Sequence, residues 1–449
     1  MERVYSLIPE KVEKIETKYR RIITEIPVPD SIPILEKLRE YEPVSMTGQP
    51  PIIWDKAVGI NVYDKYGNMF LDFSSGVLVA NAGHANKYVI EEIKKVLEKP
   101  LLHNYCFPSE IRAILVEKIA SLSPEPLKKV FLLTTGAEAI ECAIKLSRTY
   151  GKKKNKKIII SFEGAFHGRT LGAQLIGGIP SLKEWIVNPD PDIIQIPFPG
   201  DPRCKNKSFD MFLRKLKENN IDGKNVCAVI SETYQGGNAS FMPVEYAKNL
   251  REWCNENDVI LIFDEVQAGF GRTGTLWGFE HYGIIPDIFV LGKGISSSLP
   301  ISAVVGKKEI MDQYQPGTMT STHTGNPLCC ASAIGSIRYI EENKLWKNAE
   351  KMGKIFEREL NKLKKYSSIG FICGKGLVWG LHIVKENSDQ PDPDKAFKIV
   401  EKCYKKGLLL FAPVGYMGAT IKINPPLIIN EEAIFEGCSV IEEAIKEIS

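Results

Sequence analysis

Between residues 129 and 306 one pattern recurs: a short apolar run, then a stretch with helical spacing. The runs are "KVFLLTT" (129–135), "KIIISF" (157–162), "DIIQIP" (192–197), "VCAVISE" (226–232), "VILIFDE" (259–265), "DIFVLGK" (287–293) and "ISAVVG" (301–306). They are almost continuously apolar rather than alternating, which is what strands buried on both faces show. Segments such as "AEAIECAIKLSRTYG" and "VEYAKNLREWCNEND" place amphipathic helices between them. This order predicts an α/β fold with a mainly parallel seven-stranded sheet and right-handed crossovers. Pro300 leaves no room for a helix between the last two runs, so one antiparallel neighbour is expected.

The flanks read differently. "GINVYDKYGNMFLDFSSG" alternates apolar residues around Tyr66-Gly67-Asn68 and predicts a hairpin. The first fifty residues carry charged helical patterning punctuated by "IPVPDSIP". Beyond residue 330, long amphipathic helices such as "KNAEKMGKIFERELNKLKK" alternate with the short strands "GLVWGLHIV", "GLLLFAP" and "ATIKINPP". The expected organisation is a large domain over 76–330, an N-terminal segment over 1–75, and a small α+β domain over 331–449 that the N-terminal segment joins.

Composition narrows the class. The 449 residues are 44% hydrophobic and 25% charged, and 58 basic against 55 acidic side chains leave a net charge of +3. That balance gives no electrostatic footprint for nucleic acid or an acidic membrane. No apolar run reaches the roughly 18 residues of a membrane span. "MERVYSLIPEKVEKIETKYRR" lacks the apolar core of a signal peptide, so a cytoplasmic location is expected. The 10 cysteines include no C-x-x-C pair and no Cys/His cluster of zinc spacing, so no metal site is expected. Adjacent Cys329 and Cys330 read as small buried hydrophobes.

In open α/β sheets, chemistry sits at the carboxyl ends of the strands. The first run ends in Thr134-Thr135-Gly136-Ala137-Glu138 and opens into a helix. Its free N–H groups and helix dipole form an anion cradle, or a plain strand-to-helix turn. The second ends in "FEGAFHGRT", with Phe166, His167 and Arg169 at the rim. The fourth ends in Glu232, the fifth in Asp264-Glu265, and the sixth on Lys293 between Gly292 and Gly294. Arg272 is a candidate partner for the Asp264 or Glu265 carboxylate.

Lys293 is not a phosphate-clamp lysine. The Walker pattern needs glycine where Asp287 stands and Ser or Thr where Gly294 stands. The dinucleotide pattern G-x-G-x-x-G fails at Ser297. A second Gly-Lys-Gly at Lys375 shows how little the tripeptide says alone; Lys375 reads as the solvated start of a strand. What remains is a lysine at a buried strand end, facing a carboxylate and an anion cradle. Desolvation lowers such a lysine's pKa and makes it a nucleophile toward carbonyls. With pyridoxal phosphate as cofactor each neighbour gains a role: the cradle takes the phosphate, Asp264 the pyridine nitrogen, and an aromatic ring covers one face.

"LIFDEVQAGFGRTG" followed by "GKG", with 293 − 264 = 29 residues from Asp to Lys, resembles the class III (4-aminobutyrate/ornithine-type) aminotransferases. These belong to fold type I of the pyridoxal-phosphate enzymes. The resemblance runs from "FLDFSSGVLVANAGH" through "TTGAEA", "AFHGRT" and "THTGNP" to "KINPPL". It implies that Lys293 links to the cofactor and shuttles the proton, and that Asp264 pairs with the pyridinium nitrogen. Gln267 would bond the ring oxygen, Phe166 and Val266 would cover the two ring faces, and Gly136 and Ala137 would bind phosphate. Thr322 would reach the phosphate of a neighbouring subunit, which makes a homodimer part of the site. Glu232 would support the Asp264/Gln267 side, and His167 would belong to the cofactor site, more as structure than as catalyst. Val77, Arg169 and Lys422 are the candidate substrate contacts.

Two departures stand out. In glutamate- and 4-aminobutyrate-type members an acid follows the Gln of "EPVQGEGG"; here "ETYQGGN" has Gly237. An arginine precedes "PPL" in those members; here it is Lys422. The expected activity is transfer of an amino group from an amine or ω-amino acid to a 2-oxo acid such as 2-oxoglutarate or pyruvate. Racemases, decarboxylases and lyases share the scaffold and are the alternative.

Overall fold

The computed structural model describes residues 3–448. The chain divides into two compact units: residues 87–346, and residues before 87 together with those from 347 onward. These limits fall later in the chain than the expected divisions after 75 and 330. The helix Pro327–Glu342 packs on Lys87–Glu98 inside the larger unit. The approach is close: a Cβ on Gly335 would lie 2.6 Å from the carbonyl oxygen of Tyr88.

The larger unit is built on seven strands: β1 (Lys129–Leu133), β2 (Ile158–Phe162), β3 (Ile193–Ile196), β4 (Val226–Glu232), β5 (Ile260–Asp264), β6 (Ile288–Leu291) and β7 (Ser302–Gly306). Their order is β1-β7-β6-β5-β4-β2-β3. All neighbours are parallel except β7, which runs antiparallel to β6 and β1. Every residue of β4, β5 and β6 is buried, as continuous apolar runs require. Helix Gly136–Lys152 packs Ile140, Ala143 and Leu146 against Ala228, Ile230, Ile262 and Val290, which fixes its N-terminus at the carboxyl edge of the sheet. Register then sets the chemistry: Asp264 lies directly beside Glu232 on β4 and Val290 on β6.

In the other unit the predicted hairpin forms, with Asn61–Tyr63 antiparallel to Met69–Asp72. Leu408–Leu409 joins the same sheet in parallel with Met69–Asp72, so N- and C-terminal segments share one unit. The helical patterning of the first fifty residues yields one α-helix, Ile32–Tyr41, with Pro33 in its first turn. Among the described residues upstream are a short pair, Ile15–Glu16 with Arg21–Ile22, a Glu10–Ile26 bridge and a single 3-10 turn, Pro29–Ser31, but no further α-helix. Pro27, Pro29 and Pro43 explain this, since proline removes a donor and pushes its predecessor out of the helical region. The strand Ile369–Lys375 was not anticipated. It pairs antiparallel with Val378–Ile383, so Lys375 is the exposed end of a strand, not the start of one. Among the described residues no helix is long and apolar enough to cross a membrane.

Candidate active site

The strand β6 delivers Lys293. Its entry is anchored by buried Asp287, whose carboxylate accepts from Arg251 Nη1 at 2.7 Å and meets Lys307 Nζ at 2.5 Å. After Gly292 the backbone turns and Lys293 takes φ +43°. A non-glycine residue in that region is uncommon, and such outliers concentrate where a side chain must be aimed. The Lys293 side chain lines a pocket at the carboxyl edge of the sheet. Burial holds its ammonium below the ordinary lysine range; Asp264 and Glu232 oppose that shift without cancelling it.

Asp264 ends β5 and is buried in the same pocket. Its Oδ1 accepts from the Val266 N–H at 3.0 Å, and its Oδ2 lies 2.8 Å from His167 Nδ1. His167 is buried too, and its Nε2 has no hydrogen-bond partner among the described residues. Glu232 sits beside Asp264 and accepts from the N–H groups of Phe166 at 3.0 Å and Gly236 at 2.8 Å. It therefore braces the loop carrying Phe166 and His167. The next carboxylate, Glu265, turns away from Lys293. It accepts from the Thr233 hydroxyl and from the N–H groups of Gly278 at 2.8 Å and Phe279 at 2.9 Å. Arg272 is fully buried, close enough to Tyr234 to oppose the upward shift of its phenol.

The cradle follows from a capping box. Thr135 Oγ1 accepts from the Glu138 N–H at 3.3 Å, and Glu138 Oε2 accepts from the N–H groups of Thr134 at 2.9 Å and Thr135 at 3.0 Å. The N–H groups of Gly136 and Ala137 are left without an acceptor among the described residues, at the positive end of a helix of 17 residues. Both residues line the pocket. Ser302 Oγ donates to the Thr135 carbonyl at 2.7 Å and ties β7 to this turn.

Of the residues singled out from sequence, the pocket brings together Gly136, Ala137, Phe166, His167, Glu232, Asp264, Val266, Gln267 and Lys293. Sequence reasoning missed two others that line it, Gly168 and Tyr234. Gly168 has φ +132°, and a Cβ there would lie 2.6 Å from the Ala137 Cβ, so only glycine lets the "FHGRT" turn approach the cradle. Tyr234 donates its hydroxyl to Gln267 Oε1 at 3.3 Å, and its place just past the end of β4 was the available signal. Arg169 is exposed, 5.7 Å from the Phe166 ring centroid, and does not line the pocket. Thr322 is likewise exposed and outside it. Val77 and Lys422 belong to the other unit. Val77 is 41% exposed within a run of left-handed residues from Ser75 to Leu78, whereas Lys422 on strand Thr420–Ile423 is fully buried.

Burial pushes the Glu232 carboxyl up to about 7, with Asp264 adding to the rise and His167 and the two amides resisting it. A carboxyl that holds its proton more tightly when folded adds stability below its ordinary value of 4.5, and that stability is lost as pH rises through about 7. The apoprotein should therefore lose up to about 3 kcal/mol of unfolding free energy between pH 5 and 8 from this group. Glu232→Gln should flatten that part of a denaturant-midpoint profile; an unaltered slope would place its titration in the ordinary carboxylate range.

A phosphorylated pyridine aldehyde fits this donor set. Two unengaged helix N-terminal amides suit a phosphate, a buried carboxylate suits a protonated ring nitrogen, and a depressed lysine suits an aldehyde. The cradle has no space for larger side chains, since a Cβ on Gly136 would already lie 3.1 Å from Val266 Cγ1.

Comparison with known proteins agrees. A model of the family described as "Aminotransferase class-III" matches residues 44–445. The chain is 34% identical to an acetylornithine aminotransferase of Caldanaerobacter subterraneus subsp. tengcongensis, covering 89% of this chain and 95% of that one. It is 33% identical to a leucine/methionine racemase of Thermococcus litoralis, over 91% and 94% of the two chains. The ornithine aminotransferase of Toxoplasma gondii, described with partial occupancy of PLP at its active site, superposes with a TM-score of 0.81. Identity there is 28%, over 92% and 94% of the chains. With the family model spanning residues 44–445, most of its length, the chain belongs to the class III aminotransferases.

Proposed function

We propose that the protein is a cytoplasmic, homodimeric pyridoxal-phosphate aminotransferase. It takes an amino group from an amine or ω-amino acid and gives it to a 2-oxo acid such as 2-oxoglutarate or pyruvate. The observation that carries this reading is the half-buried, pKa-depressed Lys293 in one pocket with Asp264 and the Gly136–Ala137 amides. When bound, the cofactor supplies an aldehyde and an electron-withdrawing ring. The chain's own residues do the rest. Gly136 and Ala137 would hold the phosphate, Phe166 and Val266 would cover the ring, and Gln267, held by Tyr234, would meet the ring oxygen. Asp264, oriented by His167 and the Val266 amide, keeps a proton on the ring nitrogen. Lys293 Nζ would take up and return the proton at the substrate's amine-bearing carbon. Thr322 serves the phosphate held by a second copy, Arg169 meets a distal carboxylate, and Val77 lines the substrate's path.

Lys422 and Gly237 bear on the donor. In the family pattern, an arginine and an acid at these positions form a removable pair: the arginine grips an α-carboxylate, and the acid neutralises it when the substrate has none. A lysine offers a point charge without the bidentate fork. The reading therefore favours amines and ω-amino acids over α-amino acids. Lys422→Arg should raise kcat/KM for glutamate or alanine by about tenfold relative to an amine donor; an unchanged ratio would remove Lys422 from the account of specificity.

Adding amine alone should convert the cofactor to pyridoxamine phosphate, and a panel of donors against pyruvate and 2-oxoglutarate should identify the pair. Similarity to a leucine/methionine racemase supports a second reading, racemisation on the same site. Racemised amino acid with the cofactor unconverted would establish it.

A further inference from the structure

The three serines that follow the site lysine, Ser296 to Ser298, lie against the buried helix Pro327–Glu342. Ser297 Oγ is 2.8 Å from Ser336 Oγ, and Ser336 Oγ is 3.3 Å from the Gly294 carbonyl. One helical turn earlier the arrangement repeats: Ser298 Oγ is 2.7 Å from Ser332 Oγ, which lies 3.1 Å from the Ser296 carbonyl. Ser332 and Ser336 share a helix face because they are four residues apart. Within each pair either hydroxyl can donate to the other, and both reach the same carbonyl: Ser336 and Ser297 that of Gly294, at 3.3 and 3.5 Å, and Ser332 and Ser298 that of Ser296, at 3.1 and 3.5 Å. Ser296 closes the turn by donating to the Leu299 carbonyl and accepting from the Ser298 N–H at 3.2 Å.

We infer that these two hydroxyl relays are the device that positions Lys293, by fixing the peptide carbonyls beside it to the helix Pro327–Glu342. The inference rests on the reading of Lys293 as the cofactor-linked lysine. Two observations carry it beyond ordinary loop packing. Lys293 at φ +43° and Ser297 at φ +55° are both non-glycine residues in the left-handed region, so the segment between them is held from outside. The first relay ends on the carbonyl of Gly294, the residue next to Lys293. Hydroxyl protons committed in this way also answer what the serines are for: they fasten the loop. None of the five serines is among the described residues lining the pocket.

The test compares Ser297→Gly, Ser336→Ala and Ser332→Ala with Ser147→Ala. Ser147 is a buried serine whose hydroxyl donates to the Ala143 carbonyl within helix Gly136–Lys152. Ser297→Gly is the mild variant, because glycine keeps φ +55° accessible while removing the hydroxyl. In the holoenzyme, the relay variants should lower kcat about tenfold with KM within about twofold, because misplacement of a reacting group costs rate rather than binding. The pH midpoint of the cofactor's visible absorbance should move by about half a unit, a change in the surroundings of Lys293. In the apoprotein, amides 292–299 should exchange hydrogen about tenfold faster. Ser147→Ala should lower the melting temperature and leave all three unchanged. Folded Ser297→Gly and Ser336→Ala proteins with the wild-type absorbance midpoint and wild-type loop exchange would overturn the inference. If instead the wild-type protein is not fixed to pyridoxal phosphate by borohydride, it is the reading of Lys293 that fails, and loop exchange in the apoprotein still decides whether the relays hold the loop.

Discussion

Lys293→Ala should abolish amino-group transfer, lowering kcat by about 10⁴-fold or more, because in the proposed reaction one side chain would supply both the covalent link and the proton transfer. Two independent measurements follow. Borohydride treatment of the wild-type holoenzyme should add the cofactor's mass to the peptide containing Lys293, and the variant should show no fixation. Small primary amines added to the variant should restore part of the lost rate. The expectation rests on geometry as well as residue type. Lys293 is the lysine among the described residues that line the pocket, it stands at the end of a wholly buried strand, and burial favours its neutral amine. Fixation at another lysine, such as Lys422 or Lys375, or a variant retaining a tenth of the activity, would require a different site.

Much of this site was legible because a doubly wound sheet turns a one-dimensional rule into a place. Residues ending apolar runs collect at one edge, so Glu232, Asp264 and Lys293 could be named before their distances were known. The cradle was legible for a similar reason, since Thr135 with Glu138 is a local capping signature. What escaped depends on contacts with no period. His167 meets Asp264 across a separation of 97 residues because β2 and β5 both flank β4. The serine relays join residues 296–298 to 332 and 336, and no pattern of polarity marks two buried hydroxyls as partners. The N-terminal segment misled for the opposite reason: its charges have helical spacing, but prolines decide its backbone. At position 422 the sequence showed the exchange of arginine for lysine, yet not that the strand buries it completely.

Asp264→Asn should retain the fold and lower kcat by about 10²–10³-fold, the scale on which removing one preorganised electrostatic partner acts. Asparagine keeps the shape and can still accept the Val266 N–H, now 3.0 Å from Oδ1, but it carries no charge to hold a proton on the ring nitrogen. Its amide would also face His167 Nδ1, 2.8 Å from the present Oδ2, with a donor where an acceptor stood. Asp264→Glu should recover part of the loss if charge is the issue, and none if the His167 contact alone matters. A second signature needs no substrate. The Asp264 charge raises both the Glu232 carboxyl and the Lys293 ammonium, so removing it should move both downward. In the Asp264→Asn apoprotein the decline of stability due to Glu232 should still begin near its ordinary value of 4.5 but end at lower pH and be smaller. Lys293, more fully neutral, should react faster with pyridoxal at neutral pH. An asparagine variant with near wild-type kcat and an unmoved stability profile would show that the carboxylate beside Glu232 is not the group that acts on the ring nitrogen.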